Sequence, residues 1–125
     1  MNITLWCLLF VGLLPIFCAG ISKSKSDYDN KNPRAWLGKQ DGFRLRAYNA
    51  QKNSWEAFIW FSIAILLTEI EGISNLFQVQ ILSLAYILLR LLYIAAYVLN
   101  FSLLRTLFWS TAFIINISIF IIAIV

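Results

Sequence analysis

At 125 residues the chain is long enough for one domain, and 61% of it is hydrophobic, with a mean hydropathy of +0.77. Water-soluble domains use about 45–50% apolar residues, so this composition excludes a soluble fold and points to an integral membrane protein. Ten Lys and Arg against six Asp and Glu leave a net charge of +4, but the basic residues cluster in one segment beside apolar runs, which speaks for orientation in a bilayer and against a nucleic-acid partner.

Residues 3–21 are the first apolar run, and their length suits one membrane span. A cleaved signal peptide is the rival reading. Against it, no Lys or Arg precedes Lys23, so the charged leader segment is missing. Bulky Phe17 ahead of Cys18 also speaks against a lipoprotein site. The run is therefore read as a retained helix, with Pro15 as a place for a kink that membrane helices tolerate. Cys7 and Cys18 both lie in it, about 16 Å apart along a helix axis, too far to bridge. With no histidine in the chain, no metal site is expected.

Residues 22–53 are the one long polar stretch. Ser22 to Asn32 reads as loop, and Asn32-Pro33-Arg34 as a turn into a helix start, because proline suits the first helical turn. From about Phe43 a helix is predicted to run on into the second span, 54–70, with Trp55 and Trp60 as interfacial anchors. Lys23, Lys25, Lys31, Arg34, Lys39, Arg44, Arg46 and Lys52 all fall in 22–53, which makes this loop cytoplasmic by the positive-inside rule. Glu69 to Asn75 has no basic residue and faces the opposite side, its glutamates solvated.

From Leu76 to Val125 there is no Gly and no Pro. One helix of that length would be about 75 Å long, against a hydrocarbon core of about 30 Å, so the run must fold back. Asn100, Ser102, Arg105 and Thr106 are the only polar cluster that can mark the turn. Spans at 77–99 and 105–125 follow, with Arg105 on the cytoplasmic side and both termini outside. Short connections between neighbours predict an all-α, up-down four-helix transmembrane bundle.

Three of these helices carry a polar stripe at spacings of three and four. Arg46, Asn49, Asn53 and Glu56 share one face of the second, and Tyr86, Arg90, Tyr93, Tyr97 and Asn100 one face of the third. Arg105, Trp109, Ala112 and Asn116 share one face of the fourth. A carboxylate at Glu56 and a cation at Arg90 are costly inside an apolar span unless paired or facing protein or water. The simplest reconciliation is that Glu56, Arg90 and Arg105 meet between helices. A structural ion pair and a ligand site are equally open on spacing alone. The bland alternatives are interhelical packing for Tyr86 and an interfacial anchor for Arg105. For Asn53 the bland alternative is interhelical hydrogen bonding.

Ala50-Gln51-Lys52-Asn53-Ser54-Trp55-Glu56 resembles the A-[HQ]-x-N-x-x-E signature in the second helix of MAPEG proteins, the membrane-associated proteins of eicosanoid and glutathione metabolism. Asn32-Pro33-Arg34 and Arg46-Ala47-Tyr48 resemble the small bacterial branch. Arg90-x-x-Tyr93-x-x-x-Tyr97 is similar to the third-helix motif, and Leu104-Arg105-Thr106 to the start of the fourth. The correspondence covers nearly the whole chain.

The resemblance implies a homotrimer with ligand sites between adjacent subunits near the cytosolic side, in a bacterial inner membrane. It implies glutathione as thiol co-substrate, contacted by Arg46, Gln51, Asn53, Glu56, Arg90, Tyr93 and Tyr97. Arg105 would be catalytic, stabilising the thiolate. Apolar electrophiles arriving through the membrane lipids would be conjugated or reduced. A free thiol titrates near ~8.5, and a fixed guanidinium favours the nucleophilic thiolate. The chain departs from several active members, which carry an arginine at the position of Asn49, and from some that carry a tyrosine at Trp109. The alternative is a non-catalytic lipid-binding protein of the same fold. A weaker third reading, from Glu56 and Arg90, is a small transporter subunit.

Overall fold

The computed structural model describes residues 1–125 and contains helices only: α1 (Ile3–Ser22), α2 (Pro33–Gly38), α3 (Gly42–Ile70), α4 (Phe77–Val98) and α5 (Ser102–Ile124). Of these, α1, α4 and α5 are long and apolar enough to cross a membrane. The 29 residues of α3 begin with a polar half, and its apolar part starts only near Trp55.

Local chemistry sets the helix ends. The Asn2 side chain accepts from the Leu5 backbone N–H, capping α1, which then runs unbroken through Pro15. Pro33 opens α2 at its first turn. Gly72, at φ 71°, closes α3: its N–H donates to the Glu69 carbonyl, and the Ile73 N–H to the Thr68 carbonyl. The same motif ends α4 with no glycine at all. Asn100 takes φ 67° and donates to the Tyr97 carbonyl, while the Phe101 N–H reaches the Ala96 carbonyl at 2.8 Å. Asparagine tolerates this left-handed geometry better than other non-glycine residues. The expected fold-back is thus a tight turn at 99–101. Ser102 opens the last helix, and Arg105 lies in its first turn instead of marking a longer loop.

The four long helices form one bundle in which α3 and α4 each pack against the other three, while α1 and α5 are kept apart by them. Cys7 and Val11 of α1, Phe61, Ala64 and Ile65 of α3, Val79 and Tyr86 of α4, and Ala112 and Ile119 of α5 form one buried cluster. Small buried residues, Ala47, Ala50, Ser54, Ala64, Ser83 and Ala96, let the backbones approach closely. Only 28 of the 125 residues are buried, so most of the apolar composition faces outward. Leu9, Leu13 and Ile16 of α1, Ile59 and Ile63 of α3, Leu88 of α4, and Leu107 and Ile114 of α5 are all exposed, as lipid contact requires. At the far end, Glu69 is not merely solvated. It accepts from Asn2 Nδ2 at 2.6 Å and from the buried Thr4 hydroxyl at 3.1 Å, tying α1 to α3.

Candidate functional site

The polar stripes of α3, α4 and α5 converge on Arg90, which is only 2% exposed. Its Nη2 donates to Asn53 Oδ1 at 2.9 Å and to Ser54 Oγ at 3.4 Å, and its guanidinium lies 4.2 Å from the Tyr93 ring centroid. The Tyr93 and Tyr97 rings meet edge to face at 5.7 Å, and Arg105 lies 4.5 Å from the Tyr97 centroid. Two cations therefore bracket two tyrosines along α4 and the start of α5. Stacking on the rings orients both guanidiniums and adds roughly 0.5–2 kcal/mol for each.

Two cavities adjoin this ladder and share Asn53 and Trp109. The outer one, about 210 Å³, is lined by Asn53, Tyr93, Tyr97, Arg105, Thr106 and Trp109. It has no acidic lining residue, and Arg105 and Thr106 come from the first turns of α5. The positive end of that helix dipole and the guanidinium both favour an anion there. The inner cavity, about 100 Å³, carries Glu56, Tyr86, Arg90 and Asn116, with Trp60, Trp109 and Phe113 among its apolar lining. Phe113 lies between the two tryptophans, edge to face with Trp60 at 5.7 Å and stacked on Trp109 at 5.5 Å.

Glu56 and Arg90 line one cavity and Arg105 the adjoining one, but of the two readings that spacing leaves open the structural ion pair does not form. The single ion pair is Lys25–Asp27 at 3.7 Å, in the polar loop. Glu56 is exposed and accepts only from Asn53 Nδ2, at 3.4 Å. Asn53 thus stands between carboxylate and guanidinium. It can do so because its amide offers an acceptor to Arg90 and a donor to Glu56. A buried cation without a counter-ion is costly, and here it is met by neutral oxygens and a ring face.

Asn53, Arg90, Tyr93, Tyr97 and Arg105 are brought together, with Glu56 at the rim. Two other candidates stand apart. Arg46 Nε donates to the Val98 carbonyl at 3.0 Å and so caps the end of α4. Gln51 lies about 160° around α3 from Asn53, since each residue turns a helix by about 100°. Its Oε1 is buried without a partner, and it lines neither cavity. Sequence reasoning treated Trp60 as an interfacial anchor and left Asn116 outside the site. The signal was there in α5, where Trp109, Ala112 and Asn116 recur at helical spacing behind Arg105.

No match to a curated protein or to a solved structure was found. The family comparison is decisive instead. Its matching model spans residues 3–125, from the first turn of α1 to the last residue, and so takes in every helix that builds the site; the chain belongs to the MAPEG family.

Proposed function

We propose that this protein is a membrane-embedded, glutathione-dependent transferase or peroxidase acting on apolar electrophiles. The observation that carries the reading is the Arg90–Tyr93–Tyr97–Arg105 ladder, two fixed cations with no carboxylate paired to either. Glutathione brings two carboxylates and one ammonium. The arginines suit the carboxylates, and exposed Glu56 suits the ammonium. Arg105 then holds the thiol as thiolate, which attacks an electrophile entering from the bilayer. Neither Cys7 nor Cys18 is needed as a nucleophile.

Assembly as a homotrimer of up-down four-helix bundles fits the size of the cavities. The two together barely reach the roughly 300 Å³ at which enclosed ligand pockets begin, so one chain offers only part of a wall. In this reading the apolar half of α3, from Trp55 to Ile70, is the fourth span, with Ile59 and Ile63 toward lipid. The basic segment 23–52 faces the cytosol, both termini face outward, and the setting is a bacterial inner membrane. A second reading, a lipid-binding protein without catalysis, is favoured by Asn49, where several active members carry an arginine.

The test is a glutathione titration of the detergent-solubilised protein, read as thiolate absorbance near ~240 nm together with thermal stability. A thiolate band at neutral pH that Arg105→Ala abolishes, with the fold intact, is expected. Glutathione that neither produces the band nor stabilises the protein at millimolar concentration overturns the reading in favour of the lipid-binding one.

A further inference from the structure

The inner cavity has a feature that glutathione recognition leaves unused. Asn116 is 1% exposed, and neither its Nδ2 nor its Oδ1 has a hydrogen-bond partner. Arg90 lines the same cavity, and its Nε is also buried without a partner. Buried amide and guanidinium groups are satisfied in nearly all folded proteins, and an exception that lines a cavity calls for an explanation, a bound group being one. Asn116 lies eleven residues beyond Arg105, about 16 Å further along α5, so it is remote from the cation that would hold a thiolate.

The unpaired atoms define what fits. Arg90 Nε–H and Asn116 Nδ2–H need an acceptor, and Asn116 Oδ1 needs a donor. Glu56 on the same wall repels an anion, and Arg90 repels a cation. A neutral group that both donates and accepts satisfies all of these, and a hydroxyl is the simplest. About 100 Å³ has room for such a head and a few attached carbons, but not for a whole lipid. Trp60 and Trp109, 47% and 41% exposed, also line the cavity and reach the apolar surface of the chain. Phe113 fills the space between the two rings, so a hydrocarbon tail leaves past the outer edge of one of them into the bilayer.

We infer that the inner cavity between α3, α4 and α5 binds the hydroxyl head of a neutral amphiphile, with Asn116 and Arg90 Nε as its polar contacts. The site does not depend on thiol chemistry. It assigns a ligand class to the membrane-facing side of the protein whether or not glutathione occupies the outer cavity.

The experiment compares oleyl alcohol, methyl oleate and oleate as ligands of the detergent-solubilised full chain, without glutathione, read by saturable quenching of tryptophan fluorescence. The unaltered protein is expected to prefer the alcohol by at least about tenfold over both the ester, which lacks the donor, and the charged carboxylate. Asn116→Leu is expected to erase that preference while keeping the thiolate band with glutathione. Equal binding of the three ligands, or no saturable binding of the alcohol because the cavity holds only water, overturns the inference. So does a preference that survives in Asn116→Leu. Should that variant fail to fold, the ligand series on the unaltered protein decides alone. Because glutathione is absent, failure here is separable from failure of the thiol reading.

Discussion

The contact between Arg90 and Asn53 can be tested by a double-mutant cycle with Arg90→Met and Asn53→Leu. The bond is charge-assisted, 2.9 Å long and closed to solvent on the arginine side. Such bonds contribute roughly 1.5–3 kcal/mol in water-soluble proteins. In a bilayer the unfolded helices find other partners, and measured couplings average about 0.6 kcal/mol with a maximum near about 1.7. A cationic donor buried to 2% exposure belongs at the upper end of that range, so a coupling of about 1–1.7 kcal/mol is expected. The single variants should differ in a set direction. Asn53→Leu leaves a buried guanidinium short of an acceptor, which costs more than replacing the charge with an apolar chain of similar length. Arg90→Met removes the charge and its unpaired Nε together. Asn53→Leu should therefore be the more destabilising of the two, and the double variant should recover part of its loss. Reversible unfolding in mixed micelles, with all four proteins titrated by a denaturing detergent, gives the numbers. A coupling below about 0.5 kcal/mol, within the scatter of independent sites, would refute the pairing. So would an Arg90→Met loss that exceeds the Asn53→Leu loss.

Two further substitutions probe the frame that holds the site. A Cβ at Gly12 would come within 3.0 Å of the Phe58 ring edge, where α1 crosses α3. Gly12→Ala gains about 1 kcal/mol of helix propensity against that squeeze and should be near neutral, whereas Gly12→Leu should lose about 1–3 kcal/mol in the same unfolding assay. Asn100 sits at φ 67° in the turn that reverses the chain. Asn100→Gly should be neutral or slightly stabilising there, and Asn100→Val should cost about 1–2 kcal/mol and lower the thermal midpoint.

The two halves of the chain differ in how far they could be read from sequence. The reversal near Asn100 was legible because fifty residues without Gly or Pro exceed any bilayer, and one polar cluster interrupts them. Its geometry was less so, since an asparagine in a glycine role is visible only from the backbone. At the site, periodicity assigns residues to a face but says nothing about which partner each meets. Asn53 and Glu56 share a face of α3, and charge alone favoured Glu56 as the partner of Arg90. The structure gives that place to Asn53, whose amide bonds both neighbours. Gln51 shows the opposite problem. A linear motif groups it with Asn53 and Glu56, yet the helix turns it to the far side, and the same 100° step that built the stripe already placed it there. The buried polar atoms the chain leaves unpaired, Arg44 Nε, Gln51 Oε1, Arg90 Nε and the Asn116 amide, cannot be found from sequence, because being unpaired is a property of the packed state. They therefore carry the information that family membership does not. The Arg90–Asn116 pair marks a cavity within one chain, open to a ligand from the bilayer. Gln51 Oε1, on the other side of α3, is covered by its own chain, and the residue lines neither cavity.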